Sequence, residues 1–335
     1  MDVNKYVGHP SQISGVEEVA LLKGRGKGMT LLSVRNGKGL EFTLSADRAM
    51  DISRLSLDGV NMSFISPCGY VAPAFYDKDG FGFLKSFTAG FMTTCGLTNI
   101  GQPCNDDGED LPQHGTIANI PCDNYFYQEN DEEIQVTAII RDAALFGRKL
   151  EMTRKYICSK TDNILRIEDT VKNIDSKENP CMLLYHCNMG YPLISENAQV
   201  FMPANNVHGR SEVSIADIDN RLKMIKPEAD YVERCYFYDL KEKDGFASVG
   251  IYNPDIKKGL KMSFDKKTLD CFTEWKMMGE GEYVLGLEPG NCYPAGRTGV
   301  RNEGLLKTLK PGEEYKTYIE IKFTREPDEI IALGE

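Results

Sequence analysis

A two-residue alternation of apolar and polar side chains recurs along the chain and constrains its fold more than any other feature. The alternation is clearest in three runs, which are Leu40, Phe42 and Leu44, then Ile134, Val136, Ala138 and Ile140, and finally Ile319, Ile321 and Phe323. Successive side chains of a β-strand point to opposite faces, so this period predicts strands with one buried face. The segments are short and end in turns rich in Asn, Asp and Gly. The sequence therefore predicts an all-β fold, a large two-sheet β-sandwich with minor helices.

No feature of the sequence divides the 335 residues into separate units. There is no repeat period, low-complexity tract or Pro/Gly/Ser-rich linker, so we expect residues 1–335 to form a single domain. The strongest helical pattern is SIADIDNRLKMIK, residues 214–226, in which one face carries Ile215, Ile218, Leu222 and Ile225. This spacing predicts an accessory helix with Ser214 as its N-cap.

Composition limits the classes of partner. The chain has 50 acidic and 39 basic residues and a formal net charge of −11, which would repel nucleic-acid phosphates and anionic lipids. We therefore expect no nucleic acid and no membrane among its partners. The first ten residues, MDVNKYVGHP, lack the pattern of a signal peptide. A cytoplasmic location is expected, with the ten scattered cysteines reduced.

One long irregular segment interrupts the strand pattern between Ser66 and Ile120. It is crowded with Gly, Pro, Cys, Asn and aromatic residues, and loops of this length in a compact domain commonly form a functional site. His114 lies in this segment, in PQHGTIAN, where a β-like stretch meets a glycine loop. His186, in LLYHCNMGYP, occupies a similar junction. Either histidine alone is compatible with a hydrogen-bonded structural role or with function.

A second group of candidates lies in CFTEWKMMGEGEYVLGLEPGNCYPAGR, residues 271–297. Glu288 ends an apolar, strand-like run, and a carboxylate in such a position is unfavourable unless it is paired or catalytic. Trp275 is the only tryptophan, and its flat face would suit stacking on a sugar ring, although a tryptophan more often belongs to the core. We interpret the remaining acidic residues of this stretch as solvated turn charges, namely Glu274, Glu280 and Glu282.

A third cluster, SADRAMDISRLSLDG at residues 45–59, contains Arg48 between Asp47 and Asp51. An arginine beside two carboxylates is most often a surface or loop salt bridge. If it faces a cleft, its planar donor fork would bind substrate hydroxyls or a carboxylate. The sequence alone leaves both interpretations open for Arg48 and Asp51.

Five motifs together resemble the aldose 1-epimerase (galactose mutarotase-like) superfamily, and most closely its poorly characterised, DUF4432-like bacterial branch. They are DRAMDI, FTAGFMTTCGLTNIG, LPQHGTIANIP, LLYHCNMGYPL and EWKMMGEGEYVLGLEPGN, and they extend over most of the chain from about residue 40 to residue 300. The resemblance implies a β-supersandwich whose site lies on the concave face of one sheet.

The same resemblance implies roles for the candidate residues. His186 matches the family's general acid and Glu288 its general base, which together would open and reclose a sugar ring without a cofactor. His114 matches a substrate-binding histidine, and Arg48 resembles the arginine that contacts sugar hydroxyls. The remaining substrate-binding candidates, with the aromatic ones as stacking surfaces, are Asp51, Asn99, Trp275 and Tyr185.

Two questions about substrate binding stay open at this point. Classical mutarotases have a substrate-binding aspartate between the second histidine and the glutamate, and neither Asp230 nor Asp270 can be matched to it. The sequence also does not show whether the sugar carries a phosphate. A phosphate would require two arginines to converge on the cleft, from a set comprising Arg48, Arg54, Arg210 and Arg297.

The sequence thus favours an isomerase acting on a small-molecule sugar, most simply an aldose 1-epimerase, and two other functions stay open. His114, His186 and Glu288 also make up a facial metal triad, with which a divalent ion would catalyse sugar isomerisation or epimerisation at another carbon. Alternatively, the fold retains a sugar site without chemistry, as a carbohydrate-binding module. The oligomeric state is open as well, with a homodimer among the alternatives.

Overall fold

Strands account for about half of the computed structural model, which describes residues 5–334. In chain order, the first thirteen are β1 (Gly15–Ala20), β2 (Thr30–Arg35), β3 (Leu40–Ser45), β4 (Asp51–Leu57), β5 (Val60–Asn61), β6 (Phe64–Ile65), β7 (Ala89–Gly90), β8 (Met92–Leu97), β9 (Cys104–Asp106), β10 (Glu109–Leu111), β11 (Asn124–Glu129), β12 (Glu133–Ala143) and β13 (Lys149–Ser159). The others are β14 (Ile164–Asn173), β15 (Asn179–Pro180), β16 (Met182–Met189), β17 (Gln199–Phe201), β18 (Ala204–Gly209), β19 (Arg234–Leu240), β20 (Glu242–Lys243), β21 (Phe246–Asn253), β22 (Lys258–Asp265), β23 (Cys271–Gly279), β24 (Glu282–Gly290), β25 (Thr308–Leu309) and β26 (Glu314–Thr324).

The helices are few and short. The α-helices are α1 (Glu212–Ala216), α2 (Gly296–Asn302) and α3 (Asp328–Ile331). Single turns of 3-10 helix cover Pro10–Gln12, Pro73–Phe75, Gly82–Lys85, Ile117–Asn119, Ile218–Asn220 and Ala332–Gly334. Within residues 5–334, no helix has the length and apolar character that a membrane span requires.

Three large antiparallel sheets organise the chain. The nine-stranded sheet has the order β11-β12-β13-β14-β26-β22-β21-β17, with β20 added beside β21. The six-stranded sheet has the order β18-β19-β23-β24-β16-β8, and β1 to β5 form a five-stranded sheet in sequence order. The remaining pairs are β6 with β7, β9 with β10 and β15 with β25.

The core lies between these sheets and takes up the alternating apolar residues. Val136 of the nine-stranded sheet, Leu44 of the five-stranded sheet and Leu287 of the six-stranded sheet belong to one buried cluster. The alternation at 134–140 is reproduced as buried side chains separated by half-buried ones along β12. The predicted all-β sandwich with minor helices is therefore confirmed.

The prediction of a helix over residues 214–226 is wrong. The α-helix is only Glu212–Ala216, and its N-cap is Ser211, whose side chain accepts a hydrogen bond from the Ser214 amide. Beyond it, the buried Lys276 ammonium donates to three backbone carbonyls at 2.7–3.1 Å, those of Asn220, Arg221 and Lys223. Carbonyls that converge on one ammonium cannot all point along a single helix axis, so the chain here turns instead of continuing a regular helix. The apolar face packs on the core as a turn and a loop, with Ile218, Leu222 and Ile225 against it.

Candidate active site

A cavity of about 560 Å³ lies between one face of the six-stranded sheet and the irregular segment that follows β6. The sheet contributes His186, Cys235, Thr273, Trp275, Met277 and Glu288. The loops contribute mostly apolar groups together with one histidine, and these include Phe81, Phe83, Leu84, Phe87 and His114. The segment Ser66–Ile120 thus supplies one wall of the cavity, as its length and composition indicate.

Strand register brings the acid and base candidates together. Thr273 on β23 lies opposite Glu288 on β24, and His186 on β16 lies opposite Thr93 on β8. Residues paired across neighbouring strands project from the same face of a sheet. β16 also pairs with β24, with Cys187 opposite Leu287, so His186 is level with Glu288. His186 Nε2 lies 3.2 Å from Glu288 Oε1, and the two groups are in direct contact.

Gly286 provides the space for the Glu288 side chain. A Cβ atom at Gly286 would lie 2.6 Å from Glu288 Oε1 and 2.9 Å from the Cβ of Trp275. Both distances are below van der Waals contact, so the glycine is required by the position of the carboxylate. Its backbone is ordinary strand, which any residue can adopt.

Gly286→Ala is therefore expected to disturb the site without disrupting the strand. The added methyl group displaces the Glu288 carboxylate, and the loss of alignment should lower the rate of the catalysed reaction at least tenfold. The temperature of thermal unfolding should fall only modestly, because alanine suits a strand at least as well as glycine while the Trp275 Cβ, 2.9 Å from the new Cβ, must shift slightly. The measurement is turnover beside melting temperature. Full turnover in a folded Gly286→Ala protein would contradict this account of the carboxylate position.

His114 is held by its loop in an uncommon backbone conformation. Its φ angle is 57°, in the left-handed region, and its amide donates to the Gly101 carbonyl at 3.0 Å while its carbonyl accepts from the Gly96 amide at 2.9 Å. The next residue, Gly115, packs directly on β8, since a Cβ there would lie 2.1 Å from the Gly96 carbonyl oxygen. These contacts place the His114 ring 5.7 Å from the His186 ring, centroid to centroid.

Aromatic side chains surround both imidazoles and exclude water. The ring of Phe83 is 5.1 Å from His114, and Phe87 and Trp275 are each 5.2 Å from His186. Burial lowers the pKa of His114 to about 3 and that of His186 to about 4. Burial also raises the pKa of Glu288 well above its ordinary value. Burial thus disfavours the charged forms of both groups, the imidazolium of His186 and the carboxylate of Glu288.

The histidine pKa values make stability depend on pH. The unfolded chain takes up these protons near pH 6.5, whereas the folded protein takes them up only near pH 3–4. The free energy of unfolding therefore falls as the pH drops through this window, by about 1.4 kcal/mol per pH unit for each histidine. Buried carboxyl groups with raised pKa values, such as Glu288, make the free energy of unfolding fall as the pH rises. The contribution of one histidine is therefore measured as the difference in slope between the wild type and a variant that lacks it.

We expect His114→Gln to reduce the slope of unfolding free energy against pH by about one proton between pH 6 and pH 4. His208→Gln is the matched control, because His208 is exposed and its substitution should leave the slope unchanged. Urea denaturation at several pH values provides the measurement. Equal slopes in wild type and His114→Gln would show that His114 is not held neutral by burial.

Three buried polar atoms on the cavity wall have no hydrogen-bond partner. They are His186 Nδ1, Glu288 Oε1 and Thr273 Oγ1. The 3.2 Å contact between His186 and Glu288 does not satisfy Glu288 Oε1, because its alignment is not that of a hydrogen bond. Buried groups of this kind are costly to leave unpaired. All three atoms belong to residues that line the cavity and are free to bind a polar ligand.

Two other predicted substrate-binding residues near the sheet junction point away from the cavity. Arg48 is buried and donates from Nη1 to the Val71 carbonyl at 3.1 Å. Asp51 accepts from the Thr94 amide at 2.9 Å and from Arg154 Nη1 at 2.8 Å. Neither residue lines this cavity, the Asp51 carboxylate is used inside the fold, and Arg48 Nη2 is buried without a hydrogen-bond partner. Contact of these two residues with the substrate stays a prediction.

Asn99 and Tyr185 also lie outside the cavity. The Asn99 amide donates to the Gln102 and Pro112 carbonyls, so it fixes the loop that precedes His114. Tyr185 is fully buried and donates to Asp169 at 2.7 Å. It neighbours His186 on β16 and therefore projects from the opposite face of the sheet. Of the predicted substrate-binding residues, His114 and Trp275 line the cavity.

Arg210 and Glu233 are site residues that the sequence did not single out. Arg210 follows β18 and Glu233 precedes β19, and the pairing of these strands places Arg210 Nη2 3.3 Å from Glu233 Oε1. Glu233 also accepts from the Trp275 indole at 2.9 Å. Arg210 was recognised only as one of four arginines able to serve a phosphate. Of the other three, Arg54 is exposed, Arg48 is bound to backbone, and Arg297 is paired with Asp106 and Glu109.

The interpretation of Glu274 as a solvated charge is wrong. Its side chain is fully buried and accepts a hydrogen bond from the Tyr238 hydroxyl. Glu274 alternates with Thr273 and Trp275 along β23, so it faces the core side of the sheet. Burial raises the pKa of Glu274 to about 7. Glu280 and Glu282 are exposed, as expected.

The geometry does not favour the metal triad. In the part of the chain that the structure describes, no three His, Cys, Asp or Glu side chains converge as a ligand group. His114, His186 and Glu288 share a cavity, but they do not meet at one point.

The sequence matches the family described as Domain of unknown function (DUF4432) over residues 26–323. This range includes every motif on which the resemblance was based. The chain belongs to this family. Its resemblance to the DUF4432-like branch is thereby confirmed, whereas no curated protein matches the sequence.

Solved structures of the galactose mutarotase type share the fold of this DUF4432 protein. A "putative aldose 1-epimerase" from Klebsiella pneumoniae superposes with a TM-score of 0.88 at 23% identity, covering 95% of this chain and 85% of that one. A galactose mutarotase-like protein from Clostridium acetobutylicum gives 0.69 at 14% identity, with 93% and 99% covered. Galactose 1-epimerase from Lactobacillus acidophilus gives 0.62 at 14% identity, with 93% and 99% covered. The predicted β-sandwich fold is confirmed.

Proposed function

We propose that this protein is an aldose 1-epimerase that interconverts the anomers of a free, unphosphorylated sugar. The observation that carries the proposal is the buried pair of His186 and Glu288, 3.2 Å apart and with unpartnered polar atoms. The neighbouring aromatic walls and unpaired hydroxyl of Thr273 suit a ligand that is apolar on its ring faces and polar at its edge.

Anomer exchange needs one proton acceptor and one proton donor at the hemiacetal. The acceptor removes the proton from the C1 hydroxyl while the donor protonates the ring oxygen, so that the C1–O5 bond breaks and the C1 carbonyl forms. After rotation about C1–C2, the ring closes on the other face and both protons return. A pair that shares one proton completes this cycle without any net change of charge.

The identity of acid and base alternates during the cycle. The family resemblance assigns the acid of ring opening to His186 and the base to Glu288, and the two groups exchange roles when the ring closes. Burial raises the pKa of Glu288 and lowers that of His186, so in the empty site both shifts favour the neutral forms of the two groups. Arg210 opposes the raised pKa of Glu288 and thus favours its carboxylate form when a sugar donates to it.

Charge on the cavity wall supports a free sugar over a sugar phosphate. Among the described residues, the cavity lining contains one arginine, Arg210, beside three carboxyl groups, those of Glu233, Glu282 and Glu288. A phosphate site normally presents several cationic or amide donors. The carboxylate of Glu233 is also available for the role of the aspartate that could not be matched in the sequence.

The test is proton NMR saturation exchange between the anomers of free and phosphorylated sugars. Acceleration of exchange for at least one free sugar, and a smaller or absent effect on its phosphate, is the expected result. Sugar binding without acceleration would instead favour a carbohydrate-binding module. Preferential acceleration of the phosphate would contradict the assignment of a free sugar.

A further inference from the structure

The cavity extends well beyond the reacting pair. Along β23, the side chains that line it are Thr273, Trp275 and Met277, which span about 13 Å at 3.3 Å per residue. Thr273 is level with Glu288, so the reacting groups lie at one end of this row. Its other end is continued by Glu282, beside the hairpin that joins β23 to β24.

The two parts of the cavity differ in enclosure. His186, Thr273 and Glu288 are buried and His114 is half-buried, and we name this part the inner site (His114, His186, Thr273 and Glu288). On the loop side, Phe81 and Leu84 also line the cavity, although they are 56% and 53% exposed. These two residues, with Met277 and Glu282, form what we name the outer subsite. Two large apolar side chains left half in water at a cavity mouth indicate a surface that a ligand covers.

The size of the cavity is consistent with a ligand larger than one ring. Its volume of about 560 Å³ lies within the roughly 300–1,000 Å³ of pockets that enclose drug-sized molecules. A single pyranose at the inner site would leave Phe81, Leu84 and Met277 uncovered. A second ring would cover them while its hydroxyls face Glu282 and water.

Between the two parts, Arg210 and Glu233 offer a fixed set of polar contacts. Glu233 is held by both the Arg210 guanidinium and the Trp275 indole, so its carboxylate is oriented before any ligand binds. A planar guanidinium beside an oriented carboxylate can bind adjacent hydroxyl groups as donor and acceptor. Such an arrangement selects for a polyhydroxylated ligand over a purely apolar one.

We propose that the outer subsite binds a second sugar ring, so that the substrate is the reducing end of a disaccharide or longer oligosaccharide. This inference rests on the proposed function for the chemistry at the inner site. Aromatic and aliphatic side chains contact the ring faces in the outer subsite, and the reducing-end ring places its hemiacetal at His186 and Glu288.

Sugar binding can be measured independently of turnover, because Trp275 is the only tryptophan and lies in the cavity. We would titrate the protein with glucose, xylose and galactose, and with maltose, cellobiose, xylobiose and lactose, while recording tryptophan fluorescence. At least one disaccharide is expected to bind about tenfold or more tightly than the monosaccharide at its reducing end. Equal or weaker binding of every disaccharide would overturn the proposal.

Phe81→Ala tests the outer subsite directly and has a matched control in Phe75→Ala. Both phenylalanines are 56% exposed and lie in the same irregular segment, but only Phe81 lines the cavity. Phe81→Ala should reduce the ratio of disaccharide to monosaccharide affinity about tenfold, whereas Phe75→Ala should leave it unchanged. An unchanged ratio in Phe81→Ala would overturn the proposal.

Failure of the proposed function would give a different result. A disaccharide preference that depends on Phe81, without any acceleration of anomer exchange, would support the outer subsite and contradict the epimerase. Accelerated exchange of monosaccharides with no disaccharide preference would support the epimerase and overturn the outer subsite.

Discussion

Glu288→Gln is expected to lower the rate constant for anomer exchange by about 10²–10⁴-fold, the range attributable to a well-placed acid or base. Glutamine has the same shape but neither takes up nor releases a proton at neutral pH. Because burial raises the pKa of Glu288 and so disfavours its charged form, a neutral amide of the same shape is compatible with this buried position. The measurement is saturation exchange by NMR with the best substrate.

The control for this variant is Glu280→Gln. Glu280 is exposed in the hairpin between β23 and β24 and does not line the cavity, so its loss should leave the exchange rate unchanged. Sugar affinity of Glu288→Gln, read from Trp275 fluorescence, should stay within a few-fold of wild type. If exchange persists in Glu288→Gln, the acid and base must be sought elsewhere.

Sequence periodicity predicts strands well because it reports a local property. The alternation of Ile134, Val136 and Ala138 depends on which face of a single strand is buried, and β12 realises it directly. His186 and Glu288 were found for a related reason, because a polar residue inside an apolar strand is conspicuous by its burial cost. Both signals can be detected without knowledge of the partner strands.

When a strand is buried on both faces, the sequence does not show to which face a polar side chain points. All eight residues of β16 are buried, so no alternation distinguishes Tyr185, which faces the core, from His186, which faces the cavity. Arg48 and Asp51 raise the same difficulty, since a charged residue in a buried turn serves either a ligand or another buried charge. The residue type indicates that the side chain has polar neighbours, but it does not show whether these neighbours lie in the cavity or in the core.

Arg210 and Glu233 could not have been paired from local patterns. They are 23 residues apart and meet only because β18 and β19 are antiparallel in one register. Neither lies in an apolar run, and each reads as an ordinary surface charge. Site residues of this kind depend on strand pairing, which is a property of the tertiary fold.

Asp51 and Tyr185 belong to a buried ionic cluster that joins the three large sheets. At its centre, Arg154 of the nine-stranded sheet donates to Asp169 in the neighbouring strand and to Asp51 of the five-stranded sheet. Tyr185 of the six-stranded sheet donates to the same Asp169. One guanidinium therefore compensates two carboxylates that have no access to solvent.

Arg154→Met is expected to lower the free energy of unfolding by about 3–5 kcal/mol, the usual effect of removing one partner from a buried ion pair. Asp51 and Asp169 would be left without their cation. Burial already raises the pKa of Asp51 against the opposing effect of Arg154, so its loss raises that pKa further. The folded variant then binds more protons than the unfolded chain above pH 4, and its stability should fall further as the pH rises from 5 to 7.

Arg166→Met provides the matched control for this substitution. Arg166 lies on the adjacent strand β14 and pairs with Glu320, but both side chains are about one-third exposed or more, and such a pair contributes less than about 1 kcal/mol. Urea denaturation of both variants gives the free energies of unfolding to compare. Arg154→Lys keeps the charge but loses the planar donor fork of arginine, so its loss of stability is expected to lie between those of the two Met variants. Equal losses in Arg154→Met and Arg166→Met would mean that the sheets are joined by apolar packing alone. A loss of stability confined to Arg154→Met would instead show that Asp51 and Tyr185 stabilise the junction of the sheets beneath the candidate active site.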